Sequence, residues 1–145
     1  MRAHIDQTPR SGELRLRKHF PSAAEGVRVQ IVNVWRPING TVVSNPLALA
    51  ESQSVDEEDL VPVRHIYEDY EGETAAVRYA STQRWGYLAG HTGDEVTLIL
   101  CLDTKGGRRV PHTAFVHPLQ QEGAKGRESI EVRCLVVGGD KGLGV

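Results

Sequence analysis

The sequence predicts a mainly β protein, a barrel or sandwich of short strands, and three observations carry that expectation. Seven runs of five to nine residues either alternate apolar and polar side chains or are dense in Val, Ile and Leu. Fifteen glycines and seven prolines punctuate them, which favours turns over long helices. PSAAEG (21–26) leaves room for a helical turn and no more.

The elements follow in order. ELRLRKHF (13–20) sets Leu14, Leu16 and Phe20 against Arg15 and Arg17, the pattern of a half-buried strand. VRVQIVNVW (27–35) places Val27, Val29, Ile31, Asn33 and Trp35 on one face, and Arg36-Pro37 with Asn39-Gly40 ends it. Residues 44–60 (SNPLALAESQSVDEEDL) show no clear period, and the acidic run from Asp56 to Asp59 reads as a solvated loop or a helix start. Further strands are expected at TAAVRY (74–79), RWGYLA (84–89), VTLILCLD (96–103), HTAFV (112–116) and SIEVRCLVV (129–137). The segments 103–107 and 122–126 read as turns. The GGDKGLGV tail lacks the Lys-Ser/Thr of a phosphate loop and reads as a frayed terminus.

At 145 residues the chain has the length of one domain. A formal charge of −2 gives no electrostatic reason to expect nucleic acid or an anionic membrane as partner. No apolar run reaches the length of a membrane span. His4, Asp6 and Arg10 interrupt any secretory h-region at the start. Cys101 and Cys134 lie inside apolar runs, as expected of reduced thiols in a cytoplasmic protein.

Chemistry concentrates at three places. In an extended HIDQTP, His4 and Asp6 point the same way, because strand side chains repeat every second residue. An imidazole and a carboxylate so placed can take two corners of a metal octahedron. A third ligand from a distant strand then completes a two-His-one-carboxylate triad that leaves open positions, as in non-haem Fe(II) oxygenases. PHTAFVHP supplies the distal candidate, His112, at the head of a strand. Beyond it RESIEVR sets Arg127 and Ser129 two apart, where a guanidinium and a hydroxyl can clamp a carboxylate such as the distal one of 2-oxoglutarate. Taken singly, each has a plainer reading: a surface histidine, a turn aspartate, a rim salt bridge for Arg127. His19, His65 and His91 have no carboxylate at ligand spacing, His117 adjoins Pro118 in an expected turn, and Asp103 ends a strand at a turn.

The order His-x-Asp, distal His, Arg-x-Ser resembles the double-stranded β-helix (jelly-roll, cupin-like) oxygenases that use Fe(II) and 2-oxoglutarate. Longer strings sharpen the likeness: HIDQTP, NVWRP, INGTVVSNPLAL, DEEDLVPV, GET, RWGYL, DEVTLILCLD, PHTAF and RESIEVR, in this order. Together they resemble the fungal AsaB-like hydroxylase/desaturase family, from residue 4 to about residue 137. The resemblance implies an oxidoreductase of secondary metabolism acting on a small molecule, with Fe(II) held by His4, Asp6 and His112. It implies 2-oxoglutarate as co-substrate, held by Arg127 and Ser129. Asn33, Trp35 and Tyr87 sit in family-like strings and would line the substrate pocket, although strand packing is the stronger reading for Trp35 and Tyr87.

Members of the family are about twice this length, most of the difference preceding the His-x-Asp motif. The expectation is therefore a single domain over 1–145, N-terminally truncated and open at the edge that carries His4. An open edge could support oligomerisation. PSAAEG is shorter than the family's helical segment before NVWRP, Gly86 replaces a second aromatic, and Gln83 stands where a histidine is usual. The alternative function is an inactive β-barrel remnant that serves as a binding module, which a His4 frayed away from His112 would produce. A zinc hydrolase would leave Arg127 and Ser129 without a task, and no Gly-x-Ser-x-Gly elbow supports a nucleophilic one.

Overall fold

A computed structural model describes residues 1–21 and 26–138. In chain order its elements are β1 (His4–Ile5), α1 (Pro9–His19), β2 (Val29–Pro37), β3 (Leu47–Ala50), β4 (Leu60–Ile66), β5 (Glu71–Val77), β6 (Trp85–Tyr87), β7 (Thr97–Asp103), β8 (His112–Ala114) and β9 (Ser129–Val137). Single 3-10 turns at Ser52–Ser54 and Glu57–Asp59 precede β4. The strands form two antiparallel sheets, ordered β4-β5-β1-β8-β3-β6 and β7-β2-β9. The architecture is mainly β, a jelly roll.

β2 lies at the centre of the smaller sheet, and its residues from Val29 to Pro37 alternate buried and less buried. Val29, Ile31, Asn33, Trp35 and Pro37 face inward, as the period of two requires. The β7 partner carries a bulge: Ile31 pairs with Leu102 and Val32 with Leu100. The unpaired Cys101 and its neighbour Leu102 then both point inward. Both join Ile31, Trp35 and Ile99 in the core cluster, against which Leu16, Leu47, Leu49, Val110 and Leu135 pack. Ile31 and Ile99 have no exposed surface, and each such side chain contributes about 1.5–3 kcal/mol by burial.

The segment 13–20, expected as a strand, is instead the body of α1. Its start is chemically marked upstream: Thr8 caps the helix, Pro9 opens it, and Ser11 completes a reciprocal capping box. Arg17, Lys18 and His19 then sit in the last turn, where cations complement the helix dipole. The helix buries Ser11 and Gly12, and a Cβ at Gly12 would stand 2.5 Å from the Leu102 side chain, so the small residue permits the close approach. The helical turn expected in PSAAEG falls mostly outside the described residues, as does the tail beyond Gly138.

Two further differences concern strands. Residues 44–60 contain β3, whose Ala48 and Ala50 are buried, and the start of β4. The strand bearing His4 is not an edge. It pairs with β5 (His4 opposite Ala76) and with β8 (His4 opposite His112), because the β4–β5 hairpin folds over that side. The edges of the larger sheet fall at β4 and β6.

Candidate metal centre

His4, Asp6 and His112 converge although 108 residues separate the two histidines. The β1–β8 register sets His4 opposite His112, so both imidazoles project from the same face, and their ring centroids are 4.6 Å apart. Asp6 follows His4 by two residues and turns its Oδ1 toward both rings, 3.3 Å from His4 Nε2 and 3.8 Å from His112 Nε2. One ligand atom from each residue fits within 4.8 Å of the others. Adjacent corners of an octahedron with bonds of about 2.1 Å lie about 3 Å apart, so the three groups are close to the spacing a metal demands.

The surroundings prepare those groups. His4 Nδ1 donates to the Arg2 carbonyl at 2.9 Å and His112 Nδ1 to the Val110 carbonyl at 3.3 Å, so in each neutral ring Nε2 is the free lone pair. Carbonyl acceptors behind the rings are the usual support of ligating histidines. Burial pushes the Asp6 carboxyl up, but hydrogen bonding from His4, the charges of His112 and Arg133 and the Asn33 amide hold it well below the usual carboxylate range. Hydrogen bonding to Asp6 outweighs burial at His4 and raises its imidazole. At His112 burial dominates and lowers it, which favours the neutral, ligating form.

Arg127 enters from the loop before β9. Its Nε donates to the Asn45 carbonyl at 2.9 Å and Nη1 to Ser129 Oγ at 2.7 Å, and its Cζ stands 5.0 Å above the Trp35 ring. No carboxylate pairs with it among the described residues, so the rim salt bridge is not what holds it. Trp35 is buried on the inner face and also meets His91 at 5.2 Å between centroids. His91 is a core histidine whose Nε2 donates to the Glu95 carbonyl.

The remaining candidates separate. Asn33 has no exposed surface and donates to Asp6 Oδ2. Tyr87 lies on the other side of the large sheet: it pairs with Ala48, which pairs with Thr113, the neighbour of His112 whose side chain points away from the triad. There Tyr87, Trp85, Tyr79, Val77 and Phe115 line an apolar groove of ≈ 490 Å³, and Tyr87 hydrogen-bonds His117 Nε2 at 2.8 Å. The structure therefore brings Tyr87 to that groove and not to the triad. Arg133, absent from the sequence-derived set, donates from Nη2 to Asp6 Oδ2 at 2.7 Å. Its signal was the alternation in RESIEVR, which puts Ser129, Glu131 and Arg133 on one face.

A family model described as an oxidoreductase/YMDC permease-like domain matches residues 1–137. Aspirochlorine biosynthesis protein N of Aspergillus oryzae is 39% identical over 138 residues, covering 90% of this chain and 58% of its own length. The hydroxylase/desaturase asaB of Aspergillus flavus is 38% identical over 133 residues, covering 80% and 58%. The chain belongs to this family of AsaB-like hydroxylase/desaturases. The solved structure of the iron and alpha-ketoglutarate-dependent endoperoxidase NvfI superposes with a TM-score of 0.87 at 32% identity, over 95% of this AsaB-like chain and 54% of that one. The curated nvfI of Aspergillus novofumigatus is described as an Fe(II)/2-oxoglutarate-dependent dioxygenase, 37% identical over 146 residues and covered to 51%. The chain thus spans about half the length of the curated relatives it matches. No helix among the described residues is long and apolar enough to cross a membrane.

Proposed function

We propose that this AsaB-like chain carries the metal and co-substrate site of an Fe(II)/2-oxoglutarate-dependent oxidoreductase, a hydroxylase or desaturase of a small secondary-metabolite substrate. The observation that carries the reading is the convergence of His4, Asp6 and His112, each offering one ligand atom within 4.8 Å of the others. The donor set fits the metal: two imidazole nitrogens and one carboxylate oxygen suit Fe(II) and leave coordination positions free for reactants. Bound there with 2-oxoglutarate, iron supplies the oxidative chemistry that side chains alone lack.

The chain's own residues bind and orient. His4 and His112 present Nε2 because their Nδ1 protons are committed to carbonyls. Arg127 is held by Asn45, Ser129 and Trp35, and its remaining N–H donors have no partner among the described residues, so they can fork onto the distal carboxylate of 2-oxoglutarate. Trp35 backs the guanidinium and excludes water beside it. The inactive-remnant alternative needs His4 displaced from His112, whereas the two face each other across a strand pair.

We assign one β-helix domain and a cytoplasmic setting, the latter supported by two unpaired thiols. Self-association would use the strand edge at β9, where Ile130 and Val132 are exposed.

Anaerobic titration of the protein with Fe(II) and 2-oxoglutarate tests the proposal. A saturable visible charge-transfer band, lost in His112→Ala, is expected. A folded protein that develops no band refutes it.

A further inference from the structure

Asn33 is the most deeply buried polar side chain beside the triad, and every polar atom of its amide is used. Nδ2 donates to Asp6 Oδ2 and to Glu131 Oε1, the latter at 2.9 Å, while Oδ1 accepts from Arg133 Nε at 3.0 Å. Arg133 then donates from Nη2 to the same Asp6 Oδ2 at 2.7 Å. The geometry comes from strand pairing, since Asn33 stands directly opposite Arg133 in the β2–β9 register and Glu131 lies two residues away on the same face.

The amide has one permissible orientation. Turned over, its oxygen would face the carboxylates of Asp6 and Glu131 while its NH₂ faced the Arg133 donor. All three contacts would become repulsive around an amide that is itself fully buried. Arg133 therefore orients Asn33, and the two together occupy Oδ2 of Asp6. Oδ1 is left to the two histidines, facing both Nε2 atoms.

We propose that Asn33 and Arg133 are positioning residues that hold Asp6 as a one-oxygen ligand, offering Oδ1 to the cation and withholding Oδ2. The inference rests on the reading of His4, Asp6 and His112 as a metal site and adds what fixes its carboxylate. A carboxylate released from this clamp can rotate or chelate through both oxygens. Chelation closes a coordination position that a co-substrate needs, and either change alters the ligand field. Partners behind a metal ligand typically contribute 10–100-fold in affinity.

Co(II) is the probe, because its visible d–d bands report the number and symmetry of its ligands. Asn33→Leu removes the amide at similar volume. Arg133→Lys keeps the charge but loses the fork that reaches Asn33 and Asp6 together, so its effect reports geometry rather than electrostatics. The expected result is a wild-type protein that binds Co(II) and an Asn33→Leu variant, folded by near-ultraviolet circular dichroism, that binds it ~10–100-fold more weakly. At saturating metal its d–d spectrum should differ from wild type, a change that a merely structural role would not produce. Arg133→Lys is expected to shift the spectrum the same way and carries the test alone if Asn33→Leu does not fold. Wild-type affinity and an unaltered spectrum in a folded variant overturn the clamp while leaving the metal site standing. A folded wild type that binds no Co(II) overturns the metal reading, and the clamp with it.

Discussion

Replacing Arg127 is the sharpest perturbation the co-substrate reading allows. The guanidinium is pre-positioned by the Asn45 carbonyl, Ser129 Oγ and the face of Trp35. Burial lowers its pKa from a value high enough that the group stays charged at neutral pH. A fork onto a carboxylate makes two charge-assisted bonds, each contributing about 1.5–3 kcal/mol. Their loss in Arg127→Leu amounts to about 3–6 kcal/mol, and at 1.36 kcal/mol per decade 2-oxoglutarate should bind ~10²–10⁴-fold more weakly. Arg127→Lys retains a charge without the fork and should lose about half of that free energy. Anaerobic titration of 2-oxoglutarate against the Fe(II)-loaded protein reads both, with metal affinity measured separately to show that the triad is intact. An Arg127→Leu variant that binds 2-oxoglutarate within about threefold of wild type refutes the assignment.

Other outcomes follow from the packing and the charges. Ile31→Ala removes a side chain with no exposed surface from the centre of β2, so urea unfolding should show a loss of about 2–5 kcal/mol at unchanged m. Hydrogen bonding from Arg28 holds the Asp103 carboxyl below its ordinary value, against burial. That stabilisation is complete above the unfolded pKa, about 3.9, and disappears as pH falls through the lower folded value. Urea midpoints measured across the acid range should therefore fall more steeply in wild type than in Asp103→Asn. Burial pushes the Cys101 thiol up to about 12, so a disulfide reagent at neutral pH should modify the half-buried Cys134 first and Cys101 only as the protein unfolds. Equal rates in the native state would contradict the placement of Cys101.

How much of this was legible in the sequence differs from element to element. β2 was, because its alternation reflects a real difference between two faces, and β9 spans the expected 129–137 although its residues are exposed or half-buried throughout. α1 was not, because ELRLRK happens to alternate, while the deciding signal, Thr8-Pro9 with Ser11, lies just before it. β4 escaped because it is an edge strand whose residues are half-buried or exposed, with Pro62 inside it, so no buried face imprints a period on LVPVRHI. The β7 bulge is invisible in an apolar run, where two consecutive inward residues look like any others. At the site, side-chain type and spacing sufficed for His4, Asp6, His112, Arg127 and Ser129 as candidates. Asn33 and Arg133 act through a cross-strand register between residues 100 apart, which single-strand spacing does not encode. Tyr87 shows the converse, a residue in a suggestive string that the sheet turns to its other side.

On this reading His4, Asp6 and His112 together hold one metal ion. Anaerobic equilibrium dialysis against Fe(II), followed by metal analysis per mole of chain, tests it most directly. A single tightly held equivalent is expected in wild type, and none retained by a folded His112→Ala variant. Retention of the same equivalent by His112→Ala, or of none by the wild type, would contradict it.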